Sequence, residues 1–168
     1  MVLERILNIM DAESDTLVSS WIHLVRENEN IHYYKKLDSE TLAARCNYIY
    51  KQLKLWLDWQ VTSAEIASVF WKMGAERKDQ GHPLSEVLYA TILARRNLYM
   101  NTLERIAEED GVSMKEVVAF TGRITYFFDK VCYFMAKGYE GQDVPENEDD
   151  ADLEDILAAF RAGTTLSK

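Results

Sequence analysis

The sequence is poor in the residues that interrupt chains and form turns. It has only two prolines, Pro83 and Pro145, and seven glycines among 168 residues. Sandwiches and barrels need a turn signal after every short strand, and so they use more of both residues. This shortage argues against a predominantly β architecture and favours long helices.

Histidine is also scarce, which limits metal and haem chemistry. The chain has three histidines, too few for the several inward-facing Glu-x-x-His pairs that carboxylate-bridged di-iron bundles require. His82 stands between Gly81 and Pro83, a poor position for the axial ligand of a haem. We therefore predict no metal and no cofactor.

The sequence carries no recognisable catalytic motif. Its two cysteines, Cys46 and Cys132, lie far apart among apolar residues and form no Cys-x-x-Cys pair, so we expect buried free thiols in a reducing cytosol. There is no Gly-x-Ser-x-Gly elbow and no phosphate-binding glycine-rich loop. We predict no catalytic residues and no enzymatic activity.

The chain lacks a cluster of basic residues. Its formal net charge is −9, and residues 141–160 hold eight acidic side chains and no basic one. Binding to nucleic acid or to an anionic membrane surface depends on grouped Lys and Arg, so neither is expected. No uncharged apolar run approaches the roughly 20 residues of a membrane span, and Met1–Met10 has no signal-peptide core. We expect a soluble, cytoplasmic protein.

The dominant feature of the sequence is the apolar stretch from Ser113 to Tyr139. Two stripes with helical spacing run along it: Met114, Val117, Thr121, Ile124, Phe128, Val131 and Met135 on one face, and Phe120, Phe127 and Phe134 on another. Val118, Thr125 and Cys132 lie beside the first stripe. A helix that is apolar on several faces is typically surrounded by other helices, so we predict that this one is the central rod of a bundle.

Further helices are predicted on both sides of that rod. Ser39 is a candidate N-cap, and the pairs Thr62/Glu65 and Ser113/Glu116 have the spacing of a capping box. The predicted ranges are Val2–Met10, Thr16–Glu27, Ser39–Trp59, Thr62–Asp79 and Leu84–Glu109. Together they indicate an all-α fold, a single helical bundle of about six helices, of which a globin-like arrangement is one form.

The composition changes after residue 140. Residues 1–140 form the predicted helical input domain, residues 141–151 an acidic flexible linker, and residues 152–168 a short amphipathic helix and tail. One face of that helix carries Leu153, Ile156, Leu157 and Phe160. This spacing is typical of a helix that docks in a groove, so we predict contact with a partner protein or with a second copy of the chain.

Two arginines and one histidine are candidate ligand- or partner-binding residues. Arg77 and Arg95 both continue apolar stripes, and an arginine on a buried face needs an anionic partner or a path to solvent. An internal pair with Asp or Glu, and recognition of a small anion or a partner carboxylate, both satisfy that need. His82 lies in the corner Gly81–Leu84, which we interpret as structural, and we expect His82→Ala to leave the fold intact.

These same residues carry a family resemblance. The stretches Gly74–Arg77, Gly81–Ala90 and Arg95–Arg96 resemble the N-terminal domain of RsbRD-type proteins, the RsbT co-antagonists of bacterial stressosomes. The resemblance covers about Leu3 to Tyr139. It implies a helical, often dimeric, non-enzymatic input domain, related to domains that look globin-like yet carry no haem.

The sequence differs from the stressosome pattern at its C-terminal end. A stressosome protein continues into a phosphorylatable STAS domain, whereas this sequence ends after the acidic stretch. We therefore expect a free-standing sensor or adaptor that acts through protein–protein contacts, with a homodimer and a small ligand both compatible with the resemblance. The alternative is a globin-like sensor that binds a cofactor or ligand.

Overall fold

The computed structural model describes residues 2–108 and 111–143, and all regular structure in those ranges is helical. A short 3-10 turn at Tyr34–Lys36 lies between the second and third helices. The helices are α1 Val2–Ala12, α2 Ser14–Glu27, α3 Ser39–Leu57, α4 Ser63–Asp79, α5 Leu84–Glu108 and α6 Met114–Glu140. The predicted all-α bundle is confirmed, and most of the predicted linker and C-terminal helix lies outside the described residues.

The helix starts follow local capping rules. Both predicted capping boxes are present, Thr62 with Glu65 before α4 and Ser113 with Glu116 before α6. The prediction for α3 was wrong by one residue. Asp38 is the N-cap, because its carboxylate accepts hydrogen bonds from both the N–H and the hydroxyl of Thr41, at 2.7 and 2.8 Å.

Helix α5 packs against more helices than the predicted rod does. It contacts α1, α2, α4 and α6 substantially, whereas the large contacts of α6 are with α4 and α5. Small residues allow this close approach: the Trp21 indole N–H donates to the Ala90 carbonyl at 2.9 Å, and the Tyr50 hydroxyl donates to the Ala94 carbonyl at 2.8 Å. The buried Asn97 amide donates to the Leu17 carbonyl and to the Tyr50 hydroxyl. These polar groups are satisfied within the core, as burial requires.

Helix α6 is buried on two faces and open on a third. All three residues of its second predicted stripe are buried, and so are the four C-terminal members of the first: Ile124, Phe128, Val131 and Met135. Met114 is 75% exposed and Val118 is 36% exposed. The prediction that other helices surround this rod is therefore wrong for the described part of the chain, because α6 is apolar on more faces than α4 and α5 cover.

Helices α4 and α6 form the largest helix–helix interface in the described part of the chain, and two glycines permit it. A Cβ on Gly74 would overlap the Met135 carbonyl, and a Cβ on Gly138 would overlap the Trp71 carbonyl. The two backbones therefore touch directly at two points, which no larger residue allows. Gly138 is a packing residue within α6, and Gly141, with φ of 74°, ends the helix.

Candidate functional site

The chain turns from α4 into α5 through a Schellman C-cap. Gly81 has a left-handed backbone with φ of 74°. The Gly81 N–H donates to the Lys78 carbonyl at 2.9 Å, and the His82 N–H donates to the Arg77 carbonyl at 3.0 Å. In this motif the residue after the glycine packs against the last turn of the helix. The corner therefore brings two sequence-predicted residues, His82 and Arg77, together.

A carboxylate on α5 fixes the loop that faces this corner. The Glu86 side chain accepts hydrogen bonds from the backbone N–H groups of His32, Tyr33 and Tyr34, at 2.9, 2.7 and 3.2 Å. Burial raises the pKa of Glu86, but these three donors outweigh burial and leave its pKa below the ordinary value. The loop then holds the Tyr33 and Tyr34 rings 4.7 and 5.4 Å from the His82 ring.

Arg45, on α3, completes the cluster. Its Nη2 lies 3.0 Å from His82 Nε2 and 3.1 Å from Gln80 Oε1. Arg77 Nη1 donates to the same Gln80 oxygen at 3.1 Å. The Arg45 guanidinium also lies 5.0 Å from the centroid of the Tyr34 ring. Two guanidinium groups therefore share one neutral acceptor; we call Arg45, Arg77, Gln80 and His82 the cationic cluster.

Three nitrogens of the cationic cluster are buried without a hydrogen-bond partner in the described part of the chain. They are Arg45 Nη1, Arg77 Nε and His82 Nδ1. Because His82 Nε2 faces a guanidinium N–H, it accepts, and the ring proton therefore belongs on Nδ1. All three unpartnered atoms are thus donors. Arg77 is 8% exposed and His82 is 2% exposed, so water does not reach them freely.

Electrostatics keep His82 neutral. Burial lowers the pKa of His82 to about 4, and the positive charges of Arg45 and Arg77 add to that effect, while Glu86 opposes it. Burial likewise lowers the pKa of the Arg45 guanidinium, with a further contribution from Arg77. An arginine stays protonated at neutral pH even so. The cluster therefore carries two positive charges and one neutral imidazole.

A small cavity of about 10 Å³ lies between Arg45 and Arg77. Apart from the two arginines, its lining is mostly apolar: Trp21, Tyr34, Ile49, Met73, Ala90, Thr91 and Met135. A space of this size holds roughly one water-sized species. Of the described residues that line it, the two arginines alone are charged.

The remaining candidates lie elsewhere. Arg95 Nη1 donates to Asp129 Oδ1 at 2.8 Å at the edge of α6, far along α5 from the corner, so it has the internal carboxylate partner that one interpretation expected. Leu153, Ile156, Leu157 and Phe160 lie outside the described residues. Sequence reasoning missed Arg45 and Gln80, although the position of Arg45 next to the core residue Cys46 was a usable signal.

A second feature is the open face of α6, which borders a surface cavity of about 420 Å³. We define this open face as Met114 together with the residues that line the cavity: Val117, Val118, Thr121, Gly122, Thr125, Tyr126 and Asp129. Most of them are apolar or small. Met114 and Val118 are exposed, the next residues along the face are partly exposed, and Tyr126 is buried at its edge. A partly exposed face of this kind on a long helix is typical of a surface that contacts another protein.

The described residues offer little for covalent or metal chemistry. Burial raises the pKa of the Cys46 thiol to about 12 and that of Cys132 to about 11, and both thiols are free. Across residues 2–108 and 111–143, no three His, Cys, Asp or Glu side chains converge on a point where a metal ion could sit. Nor do these ranges contain a helix long and apolar enough to cross a bilayer.

Comparison with known proteins identifies the family. The profile of the RsbT co-antagonist protein rsbRD N-terminal domain matches residues 15–143, which includes the cationic cluster and the open face of α6. The chain belongs to this family. The predicted resemblance is thereby confirmed, and the RsbRD N-terminal family is a family of regulatory domains. Neither the curated proteins nor the solved structures that were searched gave a match.

Proposed function

We propose that this chain is a non-enzymatic bacterial regulatory input domain that acts through protein–protein contacts and responds to a small ligand. Membership of the RsbRD N-terminal family supports the regulatory role. The open face of α6 supports the contact role, because it is the long apolar surface that α4 and α5 leave uncovered. The cationic cluster supports the ligand role.

The first contact we propose is with a second copy of the chain. Gly122 lies near the middle of the open face, and a small residue there lets two helices approach closely. If two copies of α6 cross antiparallel at Gly122, Asp129 of each lies opposite Lys115 of the other, since both are seven residues from the crossing. Both side chains are exposed, so Lys115 of one copy can join the Asp129–Arg95 ion pair of the other. A two-fold pairing of this kind is the commonest form of oligomer.

The test is the oligomeric mass measured by light scattering after size-exclusion chromatography. Val118→Glu should convert a dimer to a monomer, because it places two carboxylates in an apolar interface. Ala64→Glu is the matched control: Ala64 is exposed in the first turn of α4, away from the open face, and an acid is tolerated at a helix N-terminus. A wild-type chain that is monomeric at 100 µM, or a Val118→Glu variant that stays dimeric, would contradict the proposed pairing.

A further inference from the structure

We propose that the cationic cluster binds one small monovalent anion, of the size of a halide or a single carboxylate group, between α3 and the α4–α5 corner. This inference deepens the ligand-sensing part of the proposed function and is independent of the dimer. It names the chemical class of the ligand and the residues that hold it: Arg45 and Arg77, which line the cavity. His82 contacts Arg45 and helps to position it.

The first argument is charge. In the described part of the chain, neither Arg45 nor Arg77 forms an ion pair with a carboxylate. Glu86, the carboxylate that acts on His82, is already engaged by three backbone N–H groups. Two guanidinium groups that share one amide oxygen repel each other, and burying Arg77 beside the half-buried Arg45 without a counter-charge is costly. A bound anion removes that cost.

The second argument is the donor set. Two of the unpartnered atoms, Arg45 Nη1 and Arg77 Nε, belong to residues that line the cavity, and each presents an N–H. A site made only of donors matches an acceptor, and it repels a cation. Charge-assisted hydrogen bonds from guanidinium groups are the stronger kind, so even a weakly basic anion gains from them.

The third argument is size. The cavity between Arg45 and Arg77 measures about 10 Å³, roughly the space of one water-sized species. Trp21 and Met135, each 1% exposed, close its inner side. Among the anions proposed, a halide fits this space best, and a phosphate ester or a nucleotide does not fit.

The position of the site couples anion binding to the packing of the neighbouring helices. Arg45 lies on α3 and Arg77 on α4, so an anion held by both ties these helices together. One turn before Arg77, Gly74 touches the backbone of α6 at Met135. Occupancy of the site therefore bears on the position of α4 against α6, the helix that carries the open face.

The experiment is a thermal-melting titration of the full chain with sodium chloride, formate, nitrate or acetate, with sodium gluconate keeping ionic strength constant. We expect a saturable rise in melting temperature with at least one of the four, because a ligand that binds only the folded state stabilises it. Arg77→Met should weaken the apparent affinity about tenfold or more, since it removes a charged donor. Arg95→Met is the matched control and should respond as the wild type does.

Chloride binding is also measurable directly on the wild-type protein from ³⁵Cl line broadening, with formate as competitor. This measurement tests the proposal without any variant, so it remains decisive if Arg77→Met and Arg45→Met both fail to fold. Melting temperatures that are the same for every anion, with no excess ³⁵Cl broadening, would overturn the proposal. An equal response in the Arg77→Met and Arg95→Met variants would do so too, and a stronger response to sulfate or phosphate would contradict the assigned size.

Discussion

His82 shows how one residue of a tight corner becomes part of a core. The Schellman cap after Gly81 directs the chain inward, and the ring ends up 2% exposed between Tyr33, Tyr34 and Arg45. The expectation that His82→Ala leaves the fold intact does not fit this packing. A buried ring that is truncated loses its contacts and leaves a cavity.

The low pKa of His82 makes stability depend on pH. The folded chain holds His82 neutral down to about pH 4, while the unfolded chain protonates it near the ordinary histidine pKa of 6.5. The unfolded state therefore binds more protons between these values, and stability falls as pH falls through that window. Lowering the pH from 7.0 to 5.5 should cost about 1 kcal/mol through this group.

Urea melts at the two pH values, with gluconate as the only added anion, measure the effect. His82→Gln should flatten the difference, because glutamine does not titrate. Glu86 does not titrate in this pH range, since its pKa is lowered from the ordinary value of 4.5. Its contribution to stability is lost only at lower pH. If the wild type and His82→Gln lose the same stability on acidification, His82 is not the group responsible.

Two glycines determine how closely α4 and α6 approach each other. The contacts of Gly74 with Met135 and of Gly138 with Trp71 set α4 directly against α6. A glycine near the end of an apolar run usually marks a C-cap, so the sequence position of Gly138 does not indicate a packing role. The packing role was invisible in the sequence, since it depends on which helix lies opposite.

Gly138→Ala should reduce the free energy of unfolding by about 3 kcal/mol, because the new methyl group meets a backbone carbonyl that cannot move aside. Gly141→Ala is the control, since nothing lies within 4 Å of its Cβ position and only its left-handed backbone is strained. That strain should cost about 1 kcal/mol. Denaturant melts compare the two variants, and equal losses would mean that the interhelical contact does not limit stability.

The hydrophobic pattern predicted the helices of the molecule better than their arrangement. Period and caps are local, which is why the two capping boxes and the phenylalanine stripe of α6 were predicted correctly. The importance of α5 was missed, since Ala90, Ala94 and Asn97, which have little apolar signal, share its core face with Leu93 and Leu98. The sequence predicted half of the cationic cluster. Arg77 and His82 lie close together in the sequence, at the α4–α5 corner, and both were candidates. Arg45 lies on α3, and a sequence pattern does not show which helices are close in space.

The last prediction concerns the contribution of the C-terminal segment to stability. Deleting residues 144–168 should leave the melting temperature within about 2 °C of the full chain, if that segment docks on a partner or on a second copy. Calorimetry of both chains, together with their oligomeric masses, checks this. A drop of several degrees at unchanged mass would mean that the segment packs on its own bundle, and the docking prediction would then be wrong.

The hydrogen bonds from the backbone N–H groups of His32, Tyr33 and Tyr34 to Glu86 affect the rate of hydrogen exchange in this loop. Their amide hydrogens point to a side chain on α5, so they exchange with solvent only when α5 releases the loop. We expect these three amides to exchange more slowly than those of a loop exposed to water, because Glu86 must first release them. The same release frees the Tyr33 and Tyr34 rings that flank His82, so amide exchange reports how long these rings stay in place.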